Sequence, residues 1–176
     1  KFVKQNAHFS TIDSVYLNQL QQLKNEFKTH EASTLIDFEI ATVLRNEGSK
    51  YENTKQNEFQ FKLNEAIKIC TASIKNFPKS LGAKKCANLK ASILHPTLQL
   101  TTEKFIPSNL PSKILVRYKN IDHLYTNIYQ ILDSKITSFN KLHKNVEKVD
   151  FINKLSLKKS FNNVLKNEKD YQQHGT

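Results

Sequence analysis

The sequence predicts an α+β chain: antiparallel helical hairpins over residues 1–94, then a β-region over residues 95–176 that carries a helical insertion. Two observations predict it. From Ile12 to Ile93 apolar and small residues recur every three or four positions, which places them on one side of a helix. After Pro96 they alternate with polar residues, the period of a strand with one face toward a core. The two periods meet within "ILHPTLQL" (Ile93 to Leu100) with almost no linker, so the end of a helix and the start of a strand share one junction.

Taken in order, Ser10 or Thr11 can cap a first helix with the stripe Ile12, Tyr16, Leu20, Leu23 and Phe27. A second helix is expected from near His30, with Ala32, Leu35, Ile36, Ile40, Val43 and Leu44 inward. "NEGSKYENTKQN" (Asn46 to Asn57) is polar and contains Gly48, which marks a loop. A third helix is expected from about Asn57 to Asn76, carrying Phe59, Leu63, Ala66, Ile67, Cys70, Ser73 and Ile74. "FPKS" turns the chain, and Ser80 can cap a fourth helix that turns Ala83, Cys86, Leu89 and Ile93 to one side. "TLQLTTEKF", "SKILVRY" and "HLYTNIYQI" read as three strands, the second with Ile114, Val116 and Tyr118 on one face. Pro107 and Pro111 keep the first connection out of any central strand. Asp133 to Lys144 turns helical, "VDFINKLSL" prolongs that helix, and "KSFNNVL" suits a further strand.

At 176 residues and 20.4 kDa the chain is long enough for one substantial core or two small ones. No apolar run approaches the roughly 18 residues of a membrane-spanning helix. The chain opens at Lys1 with neither an initiator Met nor a signal peptide, so a removed leader or a longer parent is expected. A net charge of +11 invites an acidic partner, but the lysines are spread from Lys1 to Lys169 and arginine occurs only at Arg45 and Arg117. Arg is the side chain that reads phosphates and base edges with two parallel donors, so a dedicated nucleic-acid reader is not expected.

No sequence pattern points to catalysis, a cofactor or a metal, and the chain is read as a non-enzyme. With three glycines, Gly48, Gly82 and Gly175, a glycine-rich phosphate loop is ruled out. The six histidines, His8, His30, His95, His123, His143 and His174, share no helical spacing that would make them joint ligands. Asp122 and His123 are adjacent, and adjacent side chains point apart. Cys70 and Cys86 each lie eight residues from Pro78, so a chain folded back there brings them to similar heights on antiparallel helices. A disulfide and a pair of buried free thiols are both compatible with that placement.

Ala66, Cys70, Ser73 and Pro78 fit the offsets 0, 4, 7 and 12 of the second helix of a tetratricopeptide repeat. The spacing resembles one degenerate repeat, and it equally suits any helical hairpin whose helices cross at small residues. A short array of such repeats is expected to rest on a neighbouring domain.

Phrases on both sides of the junction carry a wider resemblance. Phe77, Pro78, Ser80, Gly82, Ala83, Cys86, Leu89 and Ile93, then Leu98, Leu100, Glu103, Lys104, Tyr118, Asn120, Leu124 and Tyr125, stand in the order "FP.S.GA..C..L...I", "L.L..EK", "Y.N...LY". This resembles the N-terminal part of the large alpha-2-macroglobulin-like proteins of Bacteroidetes, where a helical, tetratricopeptide-like segment leads into the first macroglobulin-like β-sandwich domain. The closing "DYQQHGT" (Asp170 to Thr176) is similar to that family's "DYQ.H.T". The resemblance implies helical residues 1–94, an incomplete macroglobulin-like β-sandwich over 95–176 and a parent in the periplasm or cell envelope that restrains proteases without catalysis. It also implies that remaining domains of the parent, or a protein partner, contact this chain. The bait and thioester parts lie outside these residues, so no functional residue is carried over. A sandwich cut short at Thr176 implies one or more missing strands and an exposed edge, and with them either partial disorder after about Leu165 or pairing between neighbouring molecules. An independent helical-repeat adaptor for a protein or peptide is the alternative, with nucleic-acid binding third.

Overall fold

The computed structural model describes residues 12–52, 57–103 and 111–176. Among them the chain is mixed α and β, with six α-helices and two small antiparallel sheets, neither closed into a barrel. The expected caps Ser10 and Thr11, together with His8, Lys104 and Pro107, lie outside the described residues.

The chain forms two compact units, residues 1–120 with 167–176, and residues 121–166. The boundary expected after residue 94 therefore does not coincide with the compact units, because the first two strands belong with the helices.

In the larger unit, α1 (Ile12–Glu26), α2 (Ser33–Gly48), α3 (Lys62–Asn76) and α4 (Leu81–Leu94) surround one core. Leu20, Ile40, Ala41, Leu44, Leu63, Ala66, Cys70, Cys86 and Ile93 are buried together there. The third helix starts later than its periodicity suggests: Asn57–Phe59 is a short 3-10 turn. The second begins at Ser33 rather than near His30, whose Nδ1 instead accepts from the Ala32 N–H at 3.1 Å. Ser80 caps α4 as expected, its Oγ accepting from the Ala83 N–H at 3.1 Å. The same hydroxyl donates to Thr34 Oγ1 at 3.0 Å, and Thr34 donates to the Glu31 carbonyl at 2.6 Å. At this crossing a Cβ on Gly82 would lie 2.5 Å from Leu35 N and overlap the Thr34 backbone. Only glycine lets α4 come so close to the start of α2.

Strands β1 (Thr97–Thr102) and β2 (Ile114–Lys119) pair antiparallel, with Leu98 opposite Tyr118 and Leu100 opposite Val116. Leu98, Leu100, Ile114, Val116 and Tyr118 therefore share one face, as alternation predicts, while Thr97, Gln99, Arg117 and Lys119 share the other. The third strand is a surprise. β5 (His174–Gly175) returns to pair with β2, and Val116 and Thr176 exchange N–H to carbonyl bonds at 2.9 and 3.0 Å. Partial disorder after about Leu165 is thus not what is found: Asp170 is 1% exposed and Gln172 7%. The tail is fixed because its polar groups find partners on the helices.

In the smaller unit, β3 (His123–Gln130) pairs with β4 (Ser156–Val164), and α5 (Asp133–Asn140) and α6 (Asn145–Ile152) connect them. The region after Asp133 is two short helices rather than one prolonged helix, because the chain turns at residues 141–144. "KSFNNVL" is strand as expected, inside a longer β4, with a register shift at Ile128/Tyr129. Phe139 and Phe151 pack their rings 5.6 Å apart, joining the two helices.

Candidate functional site

The junction between helix and strand is built from three parts of the chain far apart in sequence. A helix leaves its last carbonyls without intrahelical donors. At the end of α4 those carbonyls are met by the end of β2: Asn120 Nδ2 donates to the Ile93 carbonyl at 3.0 Å and Lys119 Nζ to that of Ser92 at 3.3 Å. Asn120 does so from the left-handed region, at φ 56°, which Asn tolerates better than most residues.

The tail 167–176 supplies the third part. Gln172 Nε2 lies within donating distance of the carbonyls of Gly48 at 3.1 Å, Gln60 at 3.2 Å and Phe59 at 3.4 Å, which ties the end of α2 to the residues just before α3. Asp170 accepts from the Gln172 backbone N–H at 3.0 Å, from His174 Nε2 at 2.9 Å and from Gln60 Nε2 at 3.1 Å. Burial works against its charge, yet these donors together hold the Asp170 carboxyl below its ordinary value of 3.8. Gln60 also reaches Glu168 at 2.6 Å, and Asn64 Nδ2 donates to the Lys169 carbonyl at 3.0 Å. Lys169 and Tyr171 have φ of 56° and 61°, a conformation that costs a side chain-bearing residue about 1–2 kcal/mol. The hydrogen bonds around them offset that strain. The His174 ring meets Tyr118 at 5.9 Å and so links the joint to β2.

Beside this joint lies a pocket of about 460 Å³, walled by Leu63, Ile93, Tyr51 and Tyr171 and carrying Arg45 and Lys119. Arg45 stands in the last turn of α2 and Lys119 at the end of β2. Burial, and then repulsion from Arg45, lower the pKa of Lys119 below its ordinary value. Among the described residues no carboxylate is paired with either cation.

Cys70 and Cys86 come together where α3 and α4 cross, as free thiols with no exposed surface. A hydrogen bond to Cys86, reinforced by burial, pushes the Cys70 thiol far above the usual range. Such thiols behave as small core residues. The Asp37 carboxylate, held by Lys24 at 2.7 Å, disfavours the thiolate form of both. His95 ends α4, His123 starts β3 with its ring 6.3 Å from that of Tyr125, and His143 follows α5. Among the described residues no three His, Cys, Asp or Glu side chains gather as a metal site would require. Among them, too, no helix is long and apolar enough to cross a membrane.

Sequence reasoning named the Asp170 to Thr176 phrase without assigning it a role. A run of Asp, Gln and His signals side chains able to hydrogen-bond, but the partners that Gln172 and Asp170 find at Gly48, Phe59 and Gln60 are more than a hundred residues away. Arg45 was visible only as one of two arginines. Comparisons of the chain with protein-family models, curated proteins and solved structures find no match.

Proposed function

We propose that the chain is a non-catalytic, architectural and protein-binding segment, the N-terminal part of an envelope macroglobulin-like protein whose parent restrains proteases. One observation carries this reading: residues from three of the separated phrases fix the two ends of α4, Ser80 and Gly82 at its start and Asn120 with the tail at its end. Ser80 and Gly82 seat α4 on α2, Asn120 closes α4 from the end of β2, and Asp170, Gln172 and His174 tie the tail to both. Such convergence supports a rigid connection between a helical segment and a β-domain, which is the role the resemblance implies. The finer assignments, tetratricopeptide-like helices and an incomplete macroglobulin-like sandwich, belong to the same proposal. The stripe of buried small residues Ala66, Cys70 and Ser73 on α3 favours the first of them. The same stripe supports the second reading, an independent helical-repeat adaptor that binds a protein or peptide.

An antibody raised against residues 12–176 separates the two. In fractionated cells of the source organism, an envelope band several-fold heavier than 20.4 kDa supports the macroglobulin reading. A 20.4 kDa band in the cytosolic fraction contradicts it and leaves the adaptor.

A further inference from the structure

Two cations that repel one another in one concavity, with no carboxylate between them, are an unfavourable arrangement unless something else neutralises them. Helix ends account for part of it. The C-termini of α2 and α4 carry partial negative charge, and a cation near each is favourable. Lys119 uses one N–H on the Ser92 carbonyl, and its ammonium has three. The Arg45 guanidinium keeps its planar fork of donors, the group best matched to a carboxylate. The walls beside the cations mix polar side chains, from Ser49, Ser92 and Gln173, with Tyr51 and Tyr171, so the space suits a residue-sized body as well as its charge. At about 460 Å³ it falls within the usual range for ligand clefts, roughly 300–1,000 Å³.

We propose that this pocket binds a carboxylate carried by a peptide segment, gripped by Arg45 and Lys119 with its residue against the two tyrosines. A carboxylate suits the site better than a phosphate. Two helix C-termini, those of α2 and α4, oppose a dianion more strongly than a monoanion, against the single helix N-terminus, that of α3 at Leu63, among the described elements lining the pocket. The inference draws on the pocket alone and does not depend on the family resemblance.

The test is a nitrogen-15 NMR titration of the 176-residue chain with N-acetyl-L-alanine, its amide, inorganic phosphate and a blocked peptide with one internal glutamate. The expected result is a saturable shift of the Arg45, Lys119 and Gln173 signals with N-acetyl-L-alanine or the glutamate peptide, and none with the amide. The stronger of the two identifies a C-terminal or a side-chain carboxylate. Arg45→Gln, an exposed position, should weaken binding about tenfold or more while leaving other signals in place. Lys119→Met provides a second variant with the same expected direction. Absence of saturation, equal binding of the amide, tighter binding of phosphate, or binding that survives Arg45→Gln would each overturn the proposal.

Discussion

The two compact units differ in how they spend their apolar residues. Residues 1–120 with 167–176 bury a continuous core, and even its polar tail goes inside. In residues 121–166 the helices α5 and α6 contain no buried residue, every residue of β4 is exposed, and Tyr125, Val146 and Val164 are 70%, 72% and 77% exposed. Leu165, whose N–H bonds the Asp122 carbonyl at 2.8 Å, is the one buried apolar residue that this unit shows among the described residues. Backbone ladders alone hold a two-stranded hairpin only marginally in water. The larger unit is thus stabilised by packing and by a hydrogen-bonded joint, the smaller chiefly by one β-ladder and a pair of phenylalanine rings.

The sharpest way to break this contrast is to damage the larger unit at its tightest crossing. Gly82→Ala places a methyl group against the backbone of Thr34 and Leu35, where neither atom can move aside as a side chain does. A loss of about 3–5 kcal/mol is expected in denaturant titration, with the separate transition of the β3–β4 signals unchanged by the substitution. Gln172→Ala comes next, because it strips the amide that serves the carbonyls of Gly48, Phe59 and Gln60. It should cost about 1–3 kcal/mol in the same measurement.

Acid tests the joint without mutation. The Asp170 carboxyl is lowered from 3.8, so its contribution is complete above that value and is lost as pH falls through the lower folded-state value. Thermal unfolding of the larger unit should therefore drop more steeply below about pH 4 in the native chain than in Asp170→Asn, which is expected to be less stable at neutral pH. Lys169→Gly works in the opposite direction. It relieves a left-handed backbone at an exposed position and retains the Lys169 carbonyl that Asn64 bonds, so a gain of up to about 1 kcal/mol is expected.

Much of the larger unit was legible because its signals are local. Ser80 stands three residues before the N–H it caps, and Ile114, Val116 and Tyr118 alternate in the way one sheet face demands. The joint was not legible, since the bonded partners Gln172 and Gly48 are 124 residues apart and nothing in either neighbourhood announces the other. The late start of α3 was missed because helical spacing continues through a 3-10 turn. The pocket was hidden for a related reason: Arg45, Lys119 and Tyr171 come from the end of α2, the end of β2 and the tail, which are far apart in sequence. Pro78 did place Cys70 and Cys86 at one height, which turn geometry alone can do.

Native-state hydrogen exchange, read residue by residue, tests most directly whether the tail is part of the larger unit's cooperative structure. The account predicts that the amides of Gln172, Val116 and Thr176 exchange by the same high-energy opening as those of α3 and α4. It also predicts that the β3–β4 amides exchange through a separate opening of much lower energy. Tail amides that exchange as fast as an unfolded peptide, or a single opening energy for both units, would contradict it.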